Sequence, residues 1–158
     1  MKYICPLIAV SDLRKSRDFY VKLLNQRVKF DFGENITFHG DFAIHLDSHY
    51  NELIEKPVTY GGNNFELYFE EKNIEQFVDK LKDNNVEFVH DIKEQPWRQK
   101  VVRFYDLDKN IIEVGEPLEF LTFRLHNEGL KIADIAATTN MPEGFIQMSI
   151  DNRGEAKL

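Results

Sequence analysis

The sequence predicts an α+β fold of two βαβββ units followed by a small helical C-terminal appendage. Three observations lead there. The order strand, capping residue, amphipathic helix and three further strands occurs twice, each time over about sixty residues, and an internal repeat of that length constrains a fold more than any single element. The predicted strands are short, rich in β-branched and aromatic residues, and bounded by turn formers. From Leu118 onward the pattern becomes helical, punctuated by Gly129 and Pro142.

Residues 3–10 are an apolar run with β character. Asp12, in Ser11-Asp12-Leu13, is placed to cap a helix, and Leu13, Phe19, Tyr20, Leu23 and Leu24 keep helical spacing, which predicts an amphipathic helix over 12–24. Strands are expected at 28–32, 35–39 and 42–46. Residues 47–64, with Pro57, Gly61 and Gly62, read as a linker able to fold over a ligand as a lid. The second unit repeats the order. A strand at 65–69 leads to Asn73 as a cap, Ile74, Phe77, Val78 and Leu81 share one helix face, and strands follow at 86–90, 101–105 and 111–114. The tail predicts helices at 118–127, 131–138 and from Pro142 through Ile150. This gives a domain over 1–117, with modules at about 1–56 and 63–117, and a helical tail over 118–158.

The stretch Arg103 to Val114 is the most informative. A strand ends at Tyr105, the turn formers Asp106 to Asn110 follow, and a strand restarts around Glu113. An acid between Ile112 and Val114 alternates to the face opposite both, and that face is either solvent or a cavity. Glu113 is therefore either a solvated strand glutamate or the first candidate for chemistry.

Three stretches resemble the vicinal oxygen chelate superfamily of glyoxalase I, bleomycin resistance proteins and extradiol dioxygenases. They are residues 8–20, Gln95-Pro96-Trp97, and residues 104–113 with Phe104-Tyr105-Asp106 and Ile112-Glu113. The resemblance covers about residues 1 to 117. It implies that the βαβββ modules curl into a cupped mixed sheet around a ligand, commonly with a divalent metal at the floor. The ligand positions it implies are Cys5, His45, Glu66 and Glu113. Glu113 alone has the family's residue type at its own position. His45 and Glu66 are ligands of exchanged identity, since imidazole and carboxylate both suit Zn, Ni, Fe or Mn. Cys5 departs from the pattern: as a thiolate it would favour Zn, and as an ordinary residue it is a small core hydrophobe.

The leading function implied is a glyoxalase-like, metal-dependent enzyme resembling lactoylglutathione lyase. A small substrate would chelate through two vicinal oxygens, with Glu113 or Glu66 as base and His45 as a metal ligand. The alternative is a metal-free, bleomycin resistance-like binding protein that sequesters a small, possibly cationic, molecule. A third reading keeps the cup as a scaffold and works through the tail. Trp97 is the sole tryptophan and either stacks on a ligand or plugs the core. Arg103 either pairs with a ligand carboxylate or is a solvated strand arginine.

Composition narrows the setting. The chain has 158 residues, a net charge of -7 and one cysteine. Its acidity argues against nucleic acid as a partner. The single cysteine leaves no intramolecular disulfide, and the first residues lack the apolar run of a signal peptide, so cytoplasmic localisation without membrane contact is expected. Residues 129–146 resemble a helix-turn-helix, but the third helix offers Glu143, Gln147 and Asp151 where a DNA reader would carry bases. The apolar tail and the superfamily's habit of completing cups at subunit contacts predict a homodimer.

Overall fold

The computed structural model describes residues 1–156. Its elements are β1 (Leu7–Val10), α1 (Leu13–Asp18) running on into a π-helical turn (Phe19–Leu23), β2 (Val28–Asp31), β3 (Asn35–Phe38), β4 (Ala43–Leu46) and α2 (Asp47–Ile54). Then come β5 (Glu66–Glu70), α3 (Ile74–Asp83), β6 (Phe88–Glu94), β7 (Lys100–Tyr105) and β8 (Ile111–Gly115), followed by α4 (Leu118–Asn127), α5 (Ile132–Thr139) and α6 (Glu143–Asp151). The βαβββ order occurs twice, as expected. The chain forms two compact units, one of residues 1–66 with 105–111, the other of 67–104 with 112 onward.

In the first unit the sheet order is β1-β4-β3-β2, with β1 parallel to β4 and the remaining pairs antiparallel. Ile8 pairs with Ile44 and Ile36 with Ile44, so these three share a face, and all are nearly fully buried. Tyr20 anchors the same core, its ring 5.7 Å from Phe38 and 5.1 Å from Phe42. Asp12 caps α1 by accepting from the Lys15 amide. The acidic turn has a structural duty. Asp106 accepts from the Tyr20 hydroxyl at 2.8 Å and from the amides of Asp108 and Asn110, while Asp108 accepts from the Ser11 amide. The turn thus clamps the start and end of the α1 segment, and burial pushes the Asp106 carboxyl above its usual range despite these donors.

The second unit holds the sheet β5-β8-β7-β6. Ile74, Val78 and Leu81 bury one face of α3, and Phe77 packs on Phe104 of β7 with ring centres 6.0 Å apart. Helices α4 to α6 form a small core of Leu121, Leu125, Ile135 and Ile146, all fully buried. Buried Glu116, just after β8, grips Arg124 of α4 through two bonds of 2.9 Å, and Arg124 also donates to the Arg98 carbonyl. Gly154, at φ +73, lies so close to α4 that a Cβ would come within 3.1 Å of the Phe120 backbone.

Several expectations change. The first strand begins at Leu7 rather than Tyr3, because Pro6 has no amide for the ladder and contributes only its carbonyl, to Ala43. The linker opens with a helix, α2, closed by Glu55 in the left-handed region. Its Pro and Gly signals all lie beyond that helix. The segment 12–24 changes from α to π winding at Phe19, and β6 is displaced from 86–90 to Phe88–Glu94. Pro142 sits at the cap in an extended conformation, so α6 starts at Glu143.

Candidate functional site

In the second unit the strands bring Glu113, Arg103 and His90 together. Phe104 faces α3, so Arg103 next to it points to the opposite face of β7, and His90 lies across from it on β6. On β8 the fully buried Ile112 and Val114 flank Glu113, which is 7% exposed. The Glu113 carboxylate forms an ion pair with the Arg103 guanidinium through its Oε2. His90 Nδ1 lies 2.8 Å from the Asp91 carbonyl, which can only accept, so Nδ1 carries the proton. The Nε2 lone pair is left to accept from Arg103 Nη1 at 3.3 Å. A neutral histidine, a guanidinium and a buried carboxylate therefore run in line across the sheet.

A second network lies in the same unit. The Trp97 indole N–H donates to Gln99 Oε1 at 2.9 Å. The Gln99 amide donates to the Tyr68 hydroxyl at 3.0 Å and to the Glu116 carbonyl at 2.7 Å, and Tyr68 in turn donates to Glu70 at 3.1 Å. Burial pushes the Tyr68 phenol up to about 12 and raises the Glu70 carboxyl, with neighbouring Glu119 adding to the rise.

The remaining sequence-predicted residues belong to the first unit. His45 on β4 is buried. Its Nδ1 faces the Asn35 side-chain amide at 3.4 Å, and its Nε2 faces His49 Nδ1 at 2.8 Å. With Asn35 donating, Nε2 carries the His45 proton and His49 accepts it. Burial, then the His49 charge, lowers the His45 pKa, against a smaller upward pull from Glu34. Glu66 is exposed and lines an open cleft of about 300 Å³ with Asn63, Asn64, Phe65 and Ile111. Cys5 is half-buried and free, ahead of β1.

These donors do not fit a resident divalent metal. Among the described residues no three His, Cys, Asp or Glu side chains form a ligand group. The residue whose type best matches a ligand, Glu113, is already neutralised by Arg103, and a divalent ion beside it would meet a like charge. Both nitrogens of His45 are bonded within its own unit.

Residues 3–119 match the glyoxalase-like domain. The chain belongs to the glyoxalase-like family. It is thereby a member of the vicinal oxygen chelate superfamily, as its motifs indicated. A protein of unknown function from Agrobacterium tumefaciens str. C58 is 34% identical over 75% of this chain and 95% of its own, with a TM-score of 0.67. A member of the glyoxalase/bleomycin resistance protein/dioxygenase superfamily from Sphaerobacter thermophilus is 28% identical over 73% of this chain and 98% of its own, at TM-score 0.58. The lactoylglutathione lyase of Agrobacterium tumefaciens shares the fold at 18% identity and TM-score 0.56, over 73% of this chain and 94% of its own. No curated protein matches. Among the described residues no helix is long and apolar enough to cross a membrane.

The sequence singles out Glu113, Arg103, His45 and Trp97, offers His49 and His90 only as exposed or hydrogen-bonded histidines near turns, and gives no sign of the partners Asn35, Gln99 and Tyr68. Continuing β6 through Lys93 and Glu94 would have revealed His90, since that register places it opposite Arg103. Pro57, Gly61 and Gly62 make residues 47–64 look like a linker, so nothing local places His49 on a helix.

Proposed function

We propose that the protein is a metal-independent, small-molecule-binding member of the glyoxalase-like family, the second of the two functions its resemblance implied. One observation carries this reading: Arg103 holds the Glu113 carboxylate at the position where the resemblance calls for a metal ligand. A buried carboxylate needs one strong compensating charge, and here a side chain supplies it. Glu113 then works as a positioning residue for Arg103 and not as a base. The lyase reading would need that carboxylate released. Residues 1–117 form the ligand-binding part, with 118–158 as an appendage. The homodimer belongs to the same reading, supported by Leu7 and Phe30 of the first sheet and Phe32 just beyond β2, large apolar side chains that are left exposed.

The test is elemental analysis of protein purified without chelators and again after incubation with zinc, nickel or manganese, followed by desalting. Metal well below one ion per chain in both samples is expected. A stoichiometric ion whose retention is lost in Glu113→Gln would overturn the proposal and restore the metal-dependent lyase. Sizing at micromolar concentration checks the dimer, which a monomer would remove.

A further inference from the structure

We propose that Tyr68, Trp97 and Glu70 form a recognition site for an organic ammonium group. The inference rests on the small-molecule-binding reading and names the chemistry of its ligand. Gln99 makes the site. Its amide orientation is determined, because the Glu116 carbonyl can only accept and must face Nε2, which leaves Oε1 for the indole N–H. Gln99 is only 4% exposed, so both aromatic side chains are bonded by their polar edges to one buried, rigid amide. Gly115 lets them meet: a Cβ there would lie 2.8 Å from Gln99 Nε2 and 3.2 Å from the Tyr68 ring. With the polar edges bonded to protein, the Tyr68 and Trp97 residues remain 47% and 40% exposed.

Ring faces of this kind attract cations through their quadrupoles, and rings already immobilised lose little entropy on binding. The charge beside them has the complementary sign. Glu70 is bonded to the Tyr68 hydroxyl and makes no ion pair among the described residues, and Glu119 adds a second negative field. Burial and Glu119 both raise the Glu70 carboxyl, the response of an acid whose surroundings lack a cation. An anionic ligand would be repelled here. A hard metal ion would gain little from rings, whereas an alkylated ammonium gains from both rings and carboxylate.

The full-length protein is titrated with choline and, separately, with its uncharged carbon isostere dimethylbutanol, using Trp97 emission and calorimetry. Choline should bind with a change in emission, and the isostere at least about tenfold more weakly. Glu70→Gln keeps an oxygen for the Tyr68 hydroxyl, and Tyr68→Leu removes one ring; each should weaken choline binding about fivefold or more. No choline binding, equal binding of the isostere, or binding unaffected by either variant would each overturn the site. Stoichiometric metal in a protein that still binds choline here would instead overturn only the metal-independent reading.

Discussion

At the scale of the residue, the chemistry turns on which partner a carboxylate or an imidazole finds. Among the described residues Arg103 is the cation paired with buried Glu113, so removing that partner should cost much more than a surface ion pair would. Arg103→Met is expected to destabilise the fold by about 3 kcal/mol in urea unfolding. The double variant Arg103→Met with Glu113→Gln should recover part of that loss, since the amide leaves no buried charge. Equal stability of Arg103→Met and the parent would show that water already compensates Glu113. His45 makes a pH prediction. Its folded pKa lies below the ordinary 6.5 because it is buried beside His49. The unfolded chain therefore binds the proton more tightly, so the stability His45 contributes is present above pH 6.5 and lost as the pH falls below it. The groups facing it are Asn35, His49 and the Tyr50 ring, with Glu34 acting at longer range. The unfolding midpoint should fall between pH 6.5 and 5 by less in His45→Gln than in the parent. Identical profiles would remove His45 as the source.

At the scale of the element, the acidic turn between β7 and β8 shows how a motif can be legible while its duty is not. Its residue types announced a turn, and a turn is there. Asp106 and Asp108 face inward to clamp the α1 segment, which no local pattern discloses, since the Tyr20 hydroxyl that meets Asp106 is 86 residues away in sequence. Tyr20→Phe removes that bond from a fully buried site and should cost about 1.5–3 kcal/mol, the range for a hydrogen bond to a charged group. It should also raise the Asp106 carboxyl further, because the hydroxyl bond lowers it. Calorimetry of the variant checks the first effect. A loss under about 0.5 kcal/mol would mean that Asn110, which donates to the same oxygen, suffices alone. The α2 helix fails in the opposite way: residues 47–54 hold no Gly or Pro, but Pro57, Gly61 and Gly62 made the whole stretch read as loop.

At the scale of the whole molecule, the tail tests whether resemblance or charge decides function. Helices α5 and α6 with the turn between them reproduce the expected order, and Ile135 and Ile146 bury their contact. The outward positions of α6 include Glu143, Gln147 and Asp151, and Gln147 bonds Asp151. Residues 118–158 carry more acids than bases. Counterion release requires cations on the protein, so the chain should not retard duplex DNA at physiological salt. Salt-sensitive retardation that disappears on deleting 118–158 would contradict this.

By itself the sequence determined the repeated βαβββ order, the three tail helices, the buried faces of the 12–24 segment and of α3, and the family. The family follows from the resemblance of its motifs, and the rest from periodicity, capping and turn chemistry, which act over a few residues. Tertiary structure alone decided that Arg103 pairs with Glu113, that Gln99 gathers Tyr68 and Trp97 over a glycine, and that His45 is bonded to Asn35 and His49. Such pairings depend on strand register and on faces meeting across a sheet, and a one-residue slip would reverse every side chain involved. Local pattern names the residues able to do chemistry; the register of neighbouring strands chooses their partners.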